Sequence, residues 1–255
     1  MIDAWASPRL IEDWDNTGFQ VGDGEREVNR ILVALDLDSE VGKKAIEENF
    51  HMIITHHPLI FKPMDSITTS TPKGKLIYDL IRKEIVVYNA HTNLDQANGG
   101  VNAELARLLK LNNPTPLNLN SLGFEESYGY GRVGDIEEIK LLDYIKEIKE
   151  ELGVDYLTVY GEQERIVKRV AVCGGSGAEF IYDAYKEEAC IYITGDIKYH
   201  DAQLGNELGV TIIDAGHYHT EKVILPVIKE YLEKKGKDNL YIEVWDKPSP
   251  LYKIY

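Results

Sequence analysis

Six short apolar runs rich in β-branched residues recur along the chain: Ile31–Leu35, Met52–Thr55, Ile85–Tyr88, Val170–Cys173, Ile191–Thr194 and Val210–Ile213. Amphipathic helical patterns fall between most of them, at Ser39–Asn49, Lys73–Lys83, Ala178–Glu188 and Ala202–Leu208. Runs that are apolar throughout, without alternation, predict strands covered on both faces, and the intervening helices supply the crossovers that parallel strands need. The predicted class is α/β with mixed or largely parallel sheets. The order run, helix, run, helix-containing link, run occurs in residues 30–95 and again in 169–221, and Val33 to Ile54 is spaced like Val172 to Ile193. Two similar α/β halves are expected, 1–120 and 121–255, with the Asn-, Pro- and Ser-rich stretch Asn112–Gly123 as linker. Asp135–Leu152 reads as a further helix, opened by Asp135 and Glu138 as a capping pair.

Three polar segments follow such runs directly, and in open α/β sheets ligands bind outside the carboxyl ends of the strands. Thr55-His56-His57-Pro58 follows Met52-Ile53-Ile54. Side chains alternate along a strand, but the alternation relaxes at its end and Pro58 holds His57 extended or in a turn; the two imidazoles either aim into one cleft or sit as satisfied polar side chains. His91-Thr92-Asn93-Leu94-Asp95 follows Ile85–Tyr88, with Asp95 either a site carboxylate or the cap of the next helix. Gly216-His217-Tyr218-His219-Thr220-Glu221 follows Val210–Ile213, and a spacing of four puts His217 and Glu221 on one helical face; the alternative is a loop with Thr220 as cap. Five of the seven histidines lie in these segments. The donors are nitrogen and oxygen with no thiolate, which favours Zn, Mn, Fe, Co or Ni. His56, His57, Asp95, His217 and Glu221 exceed the ligand count of a mononuclear catalytic zinc and suit two divalent metal ions, with Glu221 bridging, in a cleft at the strand ends between the halves. Two dications against two carboxylates leave such a site positive, fit for hydroxide, phosphate or a small anionic substrate such as a nucleotide.

Composition narrows the partners. The chain has 255 residues, 44% apolar and 28% charged, which is a globular balance. A formal net charge of −15 disfavours wrapping a nucleic acid, and the cluster Arg165, Lys168 and Arg169 is interrupted by apolar residues. No run is long enough to cross a membrane and no secretory leader is visible, so a cytoplasmic protein is expected. Cys173 and Cys190 lie in or beside predicted strands and read as buried thiols, without a disulfide framework. Gly129-Tyr130-Gly131-Arg132-Val133-Gly134 satisfies GxGxxG, but Glu125-Glu126-Ser127 is a poor strand end and the dinucleotide reading is disfavoured. Gly174-Gly175-Ser176-Gly177 is either an amide cradle for phosphate or a tight strand-to-helix turn. Thr194-Gly195-Asp196 and His200-Asp201 either line the same cleft or cap a helix, and Trp14-Asp15-Asn16 reads as an anchored loop.

Taken together, the motifs resemble the Nif-three-like family of dinuclear-metal proteins, whose members carry the name GTP cyclohydrolase I type 2 homologue. The segments that carry the likeness are Glu12-Asp13-Trp14-Asp15-Asn16-Thr17-Gly18, ITHHPLIF at 54–61, HTNLD at 91–95 and GHYHTE at 216–221, in family order and spanning nearly the whole chain. The resemblance implies His56, His57, Asp95, His217 and Glu221 as ligands of the two metals. It implies His91 as a catalytic proton-transfer or supporting group, and a glycine segment near the cleft where Arg132 meets an anionic substrate. It further implies two α/β subdomains in the compact form, without an inserted middle domain, and a ring-shaped homohexamer built from dimers. The expected function is that of a dinuclear metal-dependent hydrolase acting on a nucleotide or phosphorylated heterocycle. The alternative is a non-enzymatic metal-binding scaffold, metal-delivery or regulatory protein.

Overall fold

The strands, in chain order, are β1 (Gly18–Val21), β2 (Arg30–Ala34), β3 (Met52–Thr55), β4 (Val86–Asn89), β5 (Asn112–Thr115), β6 (Asn118–Leu119), β7 (Gly129–Tyr130), β8 (Arg132–Lys140), β9 (Thr158–Tyr160), β10 (Ile166–Ser176), β11 (Ile191–Gly195), β12 (Thr211–Asp214) and β13 (Tyr241–Trp245). They come from a computed structural model that describes residues 1–120, 128–236 and 239–247. The chain divides into two compact units, Met1–Leu94 with Leu225–Tyr255, and Asp95–Ile224.

The first unit is built on the sheet β1-β4-β3-β2-β13. β4, β3, β2 and β13 run parallel, and β1 is antiparallel at the edge. The three central strands are buried at almost every position, as continuous apolar runs require. Helices Ser39–Glu47 and Pro72–Arg82 make the crossovers. Each begins where a side chain takes up exposed amides: Asp38 Oδ1 accepts from the amides of Glu40 and Val41, and Thr71 Oγ1 from that of Gly74. Their apolar faces (Val41, Ala45, Ile77, Leu80) pack on Leu32, Ile53 and Val87 of the sheet, each buried Val, Ile or Leu side chain contributing about 1.5–3 kcal/mol before chain entropy is set against it.

The second unit carries the sheet β5-β8-β10-β11-β12-β9 and a small β6-β7 ribbon. β10, β11 and β12 are parallel, while β5, β8 and β9 pair antiparallel with their neighbours. The period of two on β10 is explicit. Val170 and Val172 pack with Leu141, Tyr144 and Ile148 of helix Leu141–Leu152. Ala171 and Cys173 face Phe180, Ile181 and Ala184 on the other side. The equal spacing in the two halves has a structural meaning: Val33 pairs with Ile54 across β2/β3, and Val172 with Ile193 across β10/β11. The fold is thus mixed α/β, with a parallel core in each sheet.

Several local expectations are corrected. The helix expected over Asp135–Leu152 starts only at Leu141, because residues up to Lys140 form β8. Pairing of β8 with both β10 and β5 occupies the backbone groups that a helix would use, and Asp135 accepts a hydrogen bond from Arg169 (3.1 Å) in place of capping. The segment Ala178–Glu188 splits into a short 3-10 turn, Ala178–Phe180, and helix Ile181–Lys186. The GxGxxG stretch enters β7 and β8 with no helix after it, so it lacks the architecture of a dinucleotide turn. The stretch expected as a linker contains β5 and β6 in its described part; residues 121–123, and the start of the expected second half at 121, lie outside the described residues. Cys173 is buried, Cys190 is partly buried, and both are free thiols. Among the described residues no helix is long and apolar enough to cross a membrane.

The two cap assignments separate in stability measurements. Thr71→Ala should lose about 1 kcal/mol in urea unfolding, whereas Glu138→Ala should stay within about 0.5 kcal/mol of the parent. A loss near that of Thr71→Ala at Glu138 would restore the longer helix.

Candidate metal centre

In the first unit, His56 and His57 leave the end of β3 and His91 leaves the end of β4, so parallel neighbours deliver three imidazoles to one end of the sheet. Their ring centroids lie 5.1, 5.3 and 5.7 Å apart, and one nitrogen from each falls within 4.8 Å of the others. His56 is fully buried. Its Nδ1 donates to the carbonyl oxygen of Ala90 (2.8 Å), which assigns the tautomer: the lone pair is on Nε2. His57 Nδ1 sits 2.8 Å from Asp36 Oδ1, just past β2, and His91 Nδ1 sits 2.9 Å from Asp15 Oδ1.

Asp15 is enclosed. Its side chain has no exposed surface, and it also accepts from the hydroxyls of Thr17 and Thr92 and from the amides of Asn16 and Thr92. Burial acts to raise its pKa, but the bonds from His91, Thr92 and Thr17 outweigh it and hold the carboxyl well below the usual carboxylate range. Asp15 is therefore a fixed anion that orients the His91 ring.

In the second unit, His217 and Glu221 occupy one face of the short helix His217–Glu221 that follows β12, with His217 Nε2 3.1 Å from Glu221 Oε2. His217 Nδ1 lies 2.7 Å from Asp196 Oδ2, just past β11. Asp95 and Glu221 are both buried, with carboxylate oxygens within 4.8 Å of one another. Asn102, fully buried, braces this corner: its amide donates to the Asp95 carbonyl (3.0 Å) and accepts from the Gly174 amide (2.9 Å). Gly175, at φ +67°, passes so close that a Cβ there would stand 2.1 Å from Glu221 Oε1 and 3.3 Å from His217 Nε2. Only a glycine leaves that space beside the donors.

Charge explains why the space matters. Two carboxylates buried this close repel in a low dielectric unless a cation is with them. His217 answers in part. Burial opposes its charge, but Glu221 and then Asp196 push its pKa up to about 9. The Cys173 thiol is pushed far up, by burial first and then by the charges of Asp95 and Glu221, and no cysteine stands in the clusters of possible donors among the described residues. The donor set is thus imidazole nitrogen and carboxylate oxygen, each imidazole held through Nδ1 by a carbonyl or carboxylate as metal-ligating histidines are. These residues fit divalent cations.

Arg132 is buried, and its guanidinium donates to the carbonyls of Gly129 (2.8 Å), Gly131 (2.6 Å) and Ala97 (3.4 Å); burial pushes its pKa down to about 10. The amides of Gly174, Gly175 and Gly177 are taken up by Asn102, Thr220 and Thr194, so this glycine segment is a tight turn and not a phosphate cradle. Asp201 caps its helix through the Lys198 amide. Asp36, Asp196 and Asn102 support the donors and were not singled out for that role in sequence. The one available signal was an Asp within two residues of a strand's end for the first two.

A model of the Duf34/NIF3 (NGG1p interacting factor 3) family matches residues 1–250. A Clostridium perfringens protein named GTP cyclohydrolase 1 type 2 homolog is 38% identical over 236 residues, which cover 92% of this chain and 89% of that one. A Helicobacter pylori protein named GTP cyclohydrolase 1 type 2 is 36% identical over 223 residues, covering 88% and 85%. The crystal structure of a Bacillus cereus protein related to NIF3 matches with a TM-score of 0.89 at 25% identity, over 99% of this chain and 96% of that one. With all four motif segments inside the matched span, the chain belongs to the Duf34/NIF3 (NGG1p interacting factor 3) family.

Proposed function

We propose that the protein is a dinuclear metal-dependent hydrolase acting on a nucleotide or phosphorylated heterocycle, with His56, His57, Asp95, His217 and Glu221 as metal ligands and Glu221 shared between two ions. The observation that carries this reading is the buried pair Asp95 and Glu221 beside His217, in a chain where His56, His57 and His91 are, like His217, fixed through Nδ1. Bound there, divalent cations would lower the pKa of a water and polarise the attacked group. His91, held by Asp15, takes the proton of the attacking water and returns it to the leaving group. The names of the relatives bring in opening of a guanine ring as one case, and phosphoester hydrolysis is another that the same residues serve.

Elemental analysis of protein reconstituted with Zn, Mn, Fe, Co or Ni should find about two metals per chain. His57→Ala, Glu221→Gln and Gly175→Ala should each bind less with the fold kept by circular dichroism. Full retention in Glu221→Gln would remove Glu221 from its shared position.

Proton competition gives a second check. A ligand imidazole must be neutral, and His217 holds its proton up to about pH 9. Metal affinity should therefore rise about tenfold per pH unit between about pH 7 and about pH 9, then level off. An affinity flat over that window would separate His217 from the metal.

A screen of nucleotides and phosphoesters with the reconstituted protein tests the reaction. Turnover should fall at least about a hundredfold in His91→Ala, in the range typical of a general acid–base group. No turnover above that of Glu221→Gln for any substrate, with metals retained, would favour the scaffold reading.

A further inference from the structure

Trp14 and Phe61 are 60% and 45% exposed, although large aromatic rings are ordinarily withdrawn from water. Neither rides on a loose loop. Asn16 donates to the carbonyl of Ile60 (2.6 Å), Gln20 accepts from the amide of Ile60 (2.9 Å), and Gln20 donates to the carbonyl of Asn16 (2.7 Å). The loop bearing Trp14 and the loop bearing Phe61 are thereby tied to each other. The next residue, Asp15, points inward and holds His91. The ring centroids of Trp14, Phe61 and His91 form a nearly equilateral triangle with sides of 6.1, 6.2 and 6.3 Å, and all three pairs are edge-on, at 67°, 82° and 86°. In such a triangle no ring has both faces covered by the other two.

We propose that Trp14 and Phe61 form an open aromatic corner that binds a planar heteroaromatic ring beside His91. A ring stacked on the Trp14 indole lies at 67° to the Phe61 plane, close to the edge-on arrangement that is the second of the two favoured aromatic geometries. Stacking of this kind accepts any flat base because each has a π-face. The chain neighbours favour a small flat ligand over a protein partner: Asp13 precedes Trp14, Asn16 follows two residues on and Lys62 follows Phe61, all exposed and polar, whereas the core of a protein interface is depleted of charge. The inference rests on the reading of the histidine cluster as a centre that acts on a heterocycle, and it assigns the heterocycle's place.

The test uses the metal-loaded full-length protein and two probes that share a phosphate, guanosine 5′-monophosphate and ribose 5-phosphate. Calorimetry should give tighter binding of the nucleotide, and its addition should quench tryptophan fluorescence while ribose 5-phosphate does not. Trp14→Leu should lose the quenching and weaken nucleotide binding at least about tenfold, in line with the loss of one stacked base. Its metal content and its affinity for ribose 5-phosphate should not change, and Trp14→Phe should recover most of the binding. Equal affinity for the two probes, no binding of the nucleotide, or nucleotide affinity untouched in both Trp14 variants would overturn the corner. If light scattering shows a changed assembly in Trp14→Leu while nucleotide affinity is intact, the rings are an interface between copies and the proposal fails. Loss of metal in the parent would be a failure of the metal centre, and metal retained with a nucleotide indifferent to Trp14 a failure of the corner alone.

Discussion

Burying one carboxylate is costly, and burying two within reach of each other is more so. Asp95 and Glu221 stand in that relation, and much of the second unit's local structure follows from holding them there. Asn102 ties the Asp95 backbone to the turn after β10, and Gly175 in that turn gives up a side chain so that Glu221 and His217 have room. Thr220, one residue before Glu221, takes the Gly175 amide and donates back into its own short helix. The arrangement is over-determined by bonds that do nothing for the core, which is how a strained charge arrangement persists in a folded protein.

The first unit solves a different problem. Three imidazoles emerge from adjacent strand ends, and each has a second nitrogen that must be accounted for. A carbonyl serves His56, while carboxylates serve His57 and His91. His217 in the second unit follows the same rule through Asp196. The ring orientations are therefore set by acceptors whose own positions are set by strand ends and by the Trp14-Asp15-Asn16 loop. That loop divides its residues by role: Asp15 faces inward to His91, Asn16 reaches the Ile60 carbonyl, and Trp14 is left at the surface.

The central strands and the donors were legible in sequence because both write themselves locally. Continuous apolar runs of four residues, each followed within four residues by a histidine, mark β3, β4 and β12 and what they deliver. The matched spacing of Val33 to Ile54 and Val172 to Ile193, a sign of repetition in the sequence, falls on residues that pair across strands. What was not legible is what depends on distant partners. Asp36 and Asp196 lie twenty-one positions from the histidines they orient, and Asp15 seventy-six from His91, so no local pattern pairs them. β8 imitates a helix opening through the spacing of Asp135 and Glu138, whereas pairing with β10 decides its state. β13 carries mixed burial and no apolar run, and only its place beside β2 makes it a strand.

The placement of β13 has a consequence for the order in which the molecule forms. Tyr241 to Trp245 pair in parallel with Arg30 to Ala34, so closing that edge joins stretches from opposite ends of the polypeptide. During synthesis, residues 95–224, which make up the whole second unit, leave the ribosome before β13 does. The second unit can bury its own strands while the first still exposes the open side of β2. Released chains that end after residue 224 would hold one finished unit and one with an unsealed β-edge, the kind of surface that chaperones shield and that aggregation exploits.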